Sequence, residues 1–331
     1  MTRHRSLPLA AALTAALLTT ALPTASAADE PAVTGFALGS ASDRLVGREA
    51  HALTTLTVAG VSITADGRRV LRPDAGTRRL AGTAERRGLR GELIVSNYSN
   101  RLGAFDRRAA SRLLGSRANI ERVARRLAGF VAAQGWDGVN VDLELVPRHR
   151  AGGLVRLVRR LQALMPEEKS VSIDVSASTS LAAYRAHGYR LAALADAADV
   201  IVLMAYDYHG PTWSGPGPIG PLRWQRQAIR AARQAVPAGQ LDLGVAGYGY
   251  TWPRRGTGRT VTVAGARRLV RKDGARAVWH PAYGEWSARL SDGTVLWWSD
   301  RRSWRLRARL ADDLDLHGLA LWRLGSADPL P

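Results

Sequence analysis

Eight short runs rich in Val, Ile, Leu and Thr recur along this 331-residue chain, with helical patterns between several of them. That recurrence narrows the fold more than any other feature. The runs are 34–39, 54–63, 92–97, 138–144, 170–176, 200–206, 241–247 and 318–323. Nearly continuous in apolar residues, they read as strands covered on both faces, the condition of a parallel sheet. Between them, 118–134 sets Ile120, Val123, Leu127, Phe130 and Val131 on one helical face. The stretch 153–164 does the same with Leu154, Leu157, Val158 and Leu161 until Pro166 stops it. Further helices are expected over 224–235 and 303–314. Eight strands with intervening helices over roughly 300 residues predict an α/β fold, a single TIM-type (β/α)8 barrel.

One interval departs from the pattern. Residues 257–299 hold short alternating stretches at 260–263, 277–280 and 295–298 with Gly and Asp turns, so a small α+β insertion is expected after strand seven. The chain ends soon after the eighth run, so no appended binding module is expected. Upstream, Arg3, His4 and Arg5 precede the apolar run 7–22 and the small residues Ala25-Ser26-Ala27. This is the layout of a signal peptide over 1–27, whose removal leaves the barrel at 28–331. The run is shorter than the ~20 apolar residues of a membrane span. A secreted chain is therefore expected, without stable membrane insertion after cleavage. Lacking cysteine, it has neither disulfides nor a thiol for lipid attachment.

Chemistry concentrates in Gly135-Trp-Asp-Gly-Val-Asn-Val-Asp-Leu-Glu144, where polar and apolar residues alternate. Successive strand side chains point to opposite faces. Asn140, Asp142 and Glu144 thus point into the barrel, and Val139, Val141 and Leu143 point toward the helices. Polar groups inside a barrel are costly unless they hydrogen-bond one another or are used. Glu144 ends the strand, at the face where TIM-barrel active sites assemble. Asp142 on the same face should raise one of the two carboxyl pKa values and keep a proton available for general acid catalysis. A buried polar cluster that only fixes strand register is the competing reading.

The segment resembles the Asp-Gly-x-Asp-x-Asp-x-Glu signature of glycoside hydrolase family 18, the chitinases and their relatives. It looks closer to the branch with bacterial spore-cortex and peptidoglycan hydrolases, where Asn often stands at the place of Asn140. Other segments match in order. Asn97-Tyr-Ser-Asn100 resembles the end of strand three, Met204-Ala-Tyr-Asp207 the strand-six motif, Gly244-Val-Ala-Gly-Tyr-Gly-Tyr250 the end of strand seven and Leu321-Trp-Arg-Leu-Gly325 the end of strand eight. The resemblance implies that Glu144 protonates the glycosidic oxygen. Asp142 would orient the substrate's N-acetyl group as its carbonyl oxygen attacks the anomeric carbon, a substrate-assisted route. Tyr206 would hydrogen-bond the acetamide, Asp207 would contact the same sugar and Trp322 would lie beneath its ring. Asn140, Asn97 and Tyr248 are implied on the substrate-binding side, and Asp137 as a support of the strand. Two departures stand out: Asn140 cannot share a proton with Asp142 as an Asp would, and Leu143 replaces an aromatic residue.

Trp213, Trp252, Trp279, Trp286, Trp297 and Trp298 are candidates for stacking on sugar faces, with core packing as the competing reading. No His/Asp/Glu spacing points to a metal, and no cofactor is expected. The net charge of +19 is almost all Arg, since Lys occurs only at Lys169 and Lys272. The basic residues are scattered and carry no nucleic-acid-binding motif. They read as solvated helix faces, with attraction to an anionic cell wall as a by-product. The expected function is hydrolysis of a β-linked N-acetylglucosamine polysaccharide, peptidoglycan ahead of chitin, by a monomer. The alternative is a carbohydrate-binding protein on the same barrel.

Overall fold

The computed structural model describes residues 31–331, so the leader expected at 1–27 lies outside the described residues. Eight parallel strands close a barrel: β1 (Ala32–Leu38), β2 (Thr55–Ser62), β3 (Arg90–Ser96), β4 (Gly138–Asp142), β5 (Ser170–Ser176), β6 (Val200–Met204), β7 (Leu241–Ala246) and β8 (Gly318–Trp322). Each pairs with its neighbours in chain order, and β8 returns to β1 through Ala32 opposite Gly318.

The strands are less uniform than their apolar content implies. Leu93, Val95, Val139, Val141, Ile173 and Val175 face outward into one large core shared with the helices. The alternate positions form a largely polar interior: Thr57, Glu92, Asn140, Ser172, Asp174 and Asp242 are all buried. Phe36, Ile94, Val202 and Ala320 make a small apolar layer among them. Several of these polar groups hydrogen-bond one another, which offsets the cost of burying them. Glu92, for example, accepts hydrogen bonds from Thr57, Ser170 and Ser172 at 2.8 to 3.1 Å.

The expected helices form with small shifts at their ends, at Arg117–Gln134, Ala151–Leu164, Leu222–Ala232 and Arg301–Asp312. Gly135, with φ +71°, terminates the first of these in the left-handed conformation that glycine reaches without strain and turns the chain into β4. Asp137 then fixes that entry. It accepts from the Gly91 amide at 2.9 Å and pairs with Lys169 at 3.1 Å, joining the starts of β3, β4 and β5. Ala75–Arg86 is a helix the apolar spacing did not single out. Much of its buried stripe is Thr77, Ala81, Thr83 and Ala84, residues too small to register as apolar anchors.

The insertion begins earlier than 257. Gly249–Trp252 already belongs to it, pairing antiparallel with Val295–Trp298 in a five-stranded sheet. The helix Val263–Asp273 packs on this sheet, with Val263, Ala266, Val270, Ala288, Leu296 and Trp298 as a separate core. Among the described residues no helix is long and apolar enough to cross a membrane.

Candidate active site

The β4 ladder stops at Asp142 and the β6 ladder at Met204, so Glu144, Tyr206 and Asp207 stand just beyond their strands, at the carboxyl end of the barrel. Two residues in these loops, Leu145 (φ 54°) and Asp207 (φ 60°), adopt left-handed backbone conformations despite being non-glycine. Such strain is held in place by surrounding structure and clusters at functional sites. Here both strained residues flank the carboxyl cluster.

Glu144 is clamped through its backbone. The Asn97 side chain accepts from the Glu144 amide at 2.8 Å and donates to the Glu144 carbonyl at 3.0 Å. Asn97 is 1% exposed. The Asn97 amide therefore holds the Glu144 backbone from both sides. Asn140 is fully buried below Asp142 and donates to Ser172 Oγ at 3.0 Å and Asp174 Oδ1 at 2.8 Å.

Burial pushes the Glu144 carboxyl up to about 8, and the neighbouring Asp142 and Asp207 push the same way. Asp142 is raised to about 6 by burial, with a hydrogen bond from Ser96 in opposition. Near neutral pH the two carboxyls therefore divide their roles: Glu144 keeps a proton and Asp142 can be an anion. Burial, with Asp174 and the other carboxyls around it, holds the Tyr206 phenol well above its usual range, so Tyr206 remains an O–H donor. A Cβ at Gly244 on the inner face of β7 would lie 2.6 Å from the Leu203 carbonyl oxygen and 3.1 Å from the Tyr206 ring, so glycine lets β6 and Tyr206 approach this closely. Asp207 accepts hydrogen bonds from the hydroxyls of Tyr248 and Tyr250, the latter at 2.7 Å. Tyr248 thus spends its hydroxyl on Asp207.

Trp322 packs on Phe36 at 5.6 Å and joins Tyr206, Tyr248, Tyr250, Trp252 and Trp297 in an aromatic wall along one side of the site. Of the other tryptophans, Trp213 is the one left open, 54% exposed and edge-on to Tyr250. Trp298 is core of the insertion, stacked against Trp286, and Trp279 carries Arg302 over its ring at 4.1 Å. Sequence reasoning missed Asp174 and Glu92, which line the same interior. The signal was present in Ser170-Val-Ser-Ile-Asp-Val-Ser176, which alternates polar and apolar residues as the Glu144 segment does. Among the described residues no group of three or more His, Asp or Glu side chains is arranged to hold a metal ion.

The profile of the glycosyl hydrolases family 18 matches residues 103–327, more than half of the chain. This chain belongs to glycosyl hydrolase family 18. It is 23% identical over 263 residues to YvbX, an uncharacterized glycosylase of Bacillus subtilis (strain 168), covering 76% of each chain. It is 27% identical over 257 residues to the cortical fragment-lytic enzyme of the same organism, covering 72% of this chain and 57% of that enzyme. It thus spans little more than half the length of that relative. Among solved structures, a chitinase from Chromobacterium violaceum ATCC 12472 superposes with a TM-score of 0.82 at 25% identity, covering 90% of this chain and 95% of that one. The Bacillus cereus spore cortex-lytic enzyme SleL superposes with a TM-score of 0.80 at 19% identity, covering 90% and 72%. The protein is a family 18 glycosidase on a TIM barrel, related to spore cortex-lytic enzymes and chitinases.

Proposed function

We propose that this family 18 glycosidase is exported and cleaves β-linked N-acetylglucosamine polysaccharide, peptidoglycan in preference to chitin, by a substrate-assisted retaining mechanism. The observation that carries the reading is the placement of Glu144 at the carboxyl end of the barrel, its backbone held by Asn97 and its carboxyl gathered with Asp142 and Asp207 in one buried cluster, where burial and the neighbouring carboxyls favour a protonated Glu144. Glu144 donates its proton to the glycosidic oxygen. The departing sugar leaves as the substrate's own acetamide oxygen closes on the anomeric carbon, with Asp142 as the anion that orients and stabilises the amide. Tyr206 donates to the acetamide oxygen, Asp207 contacts the same sugar and Trp322 supports its ring. Water then opens the cyclic intermediate, with Glu144 taking the proton back. Peptidoglycan is favoured by the kinship with the cortical fragment-lytic enzyme and by a strongly positive chain suited to an anionic wall. Export is favoured by the basic start, the apolar run and the Ala25-Ser26-Ala27 site.

Reducing-end release from purified peptidoglycan and chito-oligosaccharides tests the reading. Glu144→Gln should lose roughly 10³-fold or more in kcat. De-N-acetylated oligosaccharide should bind without being cut, since it lacks the internal nucleophile. Turnover of the deacetylated polymer at the acetylated rate would refute substrate assistance. N-terminal sequencing of the exported protein should begin at Ala28.

A further inference from the structure

Asp174 has no part in the reaction just described, yet it lies against the carboxylate on which that reaction turns. The β4–β5 ladder sets Asn140 opposite Ser172 and Val141 opposite Ile173. One further step along both strands brings Asp142 beside Asp174 on the inner face. Asp174 is 5% exposed and receives a hydrogen bond at Oδ1 from Asn140. The titratable groups facing it are Asp142 and Glu144 from the β4 segment, Glu92 from β3 and Tyr206 from beyond β6. None of these brings a positive charge.

Two adjacent carboxylates in such a place cannot both ionise near neutral pH. The surroundings decide which of them keeps the proton. Asp142 has the Ser96 hydroxyl to stabilise its anion. Asp174 has a single amide donor and several negative neighbours, and its carboxyl is held well above the usual range, first by burial and then by Asp142. Asn140, between them on the same face, has no carboxyl proton to share. One Asp142 oxygen, Oδ1, is buried without a hydrogen-bond partner among the described residues, a position that a nearby carboxylic acid is suited to serve.

We propose that Asp174 is the proton-holding member of a buried carboxyl pair with Asp142, a positioning residue on β5 that leaves Asp142 as the anion facing the acetamide. Asn140 fixes the Asp174 carboxyl from one side. The pair keeps one proton and one negative charge through the whole cycle, and the proton that reaches the glycosidic oxygen is that of Glu144. The role assigned to Asp142 rests on the proposed mechanism; the protonation of Asp174 does not.

The first measurement therefore needs no substrate. Infrared difference spectra between wild type and Asp174→Asn at pH 7 should show the loss of one protonated-carboxyl C=O band. If instead a carboxylate band is lost, Asp174 is an anion and the proposal is overturned, whatever the enzyme cleaves. Should Asp174→Asn fail to fold, Asp174→Ser carries the same test. The second measurement uses whichever polymer the wild type cuts. Asp174→Asn should lower kcat roughly tenfold or more while leaving the basic limb of the pH profile in place, because no charge is removed from beside Glu144. Moving the carboxyl across the strands, in N140D/D174N, should recover most of the loss. A folded double variant no faster than Asp174→Asn, or a basic limb displaced downward in Asp174→Asn, would overturn the pairing. A wild type inactive on every N-acetylglucosamine polymer would sink the proposed function and leave the spectroscopic result standing.

Discussion

Arg307 offers the sharpest test of how the insertion is fixed to the barrel. It projects from the last long helix, Arg301–Asp312, and is 1% exposed. Its guanidinium donates to the Gly284 carbonyl at 2.5 Å, Gly220 at 2.6 Å, Tyr283 at 3.0 Å and Gln225 Oε1 at 3.1 Å, and pairs with Glu285 at 3.3 Å. Glu285 in turn accepts from the amides of Ile219 and Gly220, both at 2.7 Å. The cluster thus ties an insertion strand to the end of the loop that follows β6. Arg307→Met keeps much of the side-chain volume and removes every donor. Breaking one side of a buried ion pair costs about 3–5 kcal/mol. At about 2 °C per kcal/mol for a chain of this size, the melting temperature should fall by roughly 6–10 °C. Arg226→Met makes the control. Arg226 stands 4.0 Å from Asp313 on the surface, and its loss should shift stability by less than about 1 kcal/mol.

The pH dependence adds a second, signed test. Burial already holds Glu285 above its ordinary value of 4.5, and Arg307 offsets part of that. Without Arg307 the folded pKa rises further above the unfolded one, so folding binds a proton more strongly. Stability lost in the variant should therefore shrink as pH falls toward 4.5 and grow as pH rises through the folded value. Calorimetry of both variants between pH 4 and pH 8 reads this out. A melting temperature at pH 7 within 2 °C of wild type would refute the reasoning.

Activity should follow a bell, rising as Asp142 ionises near pH 6 and falling as Glu144 loses its proton near pH 8, measured as kcat/KM on a soluble oligosaccharide. Asn97→Ala leaves the buried amide and carbonyl of Glu144 unpaired, costing about 1–3 kcal/mol. It should reduce kcat roughly 10²-fold through misplacement of the acid, with KM nearly unchanged, since the Asn97 side chain is spent on the backbone. The Nδ1–H of His317 donates to Asp242 Oδ1 at 2.7 Å, and that hydrogen bond raises the His317 pKa above 6.5. Its stabilisation is therefore present below pH 6.5 and is lost as pH rises through the raised value. Being partly exposed, the pair is worth at most about 1 kcal/mol, and His317→Ala should flatten the stability profile between pH 6 and pH 8.

The sequence by itself determined the barrel, because eight buried strands alternating with amphipathic helices have few other ways to cover both faces of a sheet. It also placed Asp142 and Glu144 on one inward face, since strand periodicity is strictly local and survives without knowledge of neighbours. What it did not decide is who stands beside them. Asp174 comes from β5, Ser96 from β3, Asn97 from just beyond β3, Tyr206 from beyond β6 and Tyr248 from beyond β7. Only closure of the barrel brings those strand ends together, and the register between parallel strands chooses which residues meet. The same closure set Asn97 against the backbone of Glu144 and Asn140 against Asp174. It also drew Gly249–Trp252 into the insertion, because a strand acquires its sheet from a partner distant in sequence, here Val295–Trp298. Local pattern marked the acid; the protonation of the groups around it is a property of burial, which exists only in the folded chain.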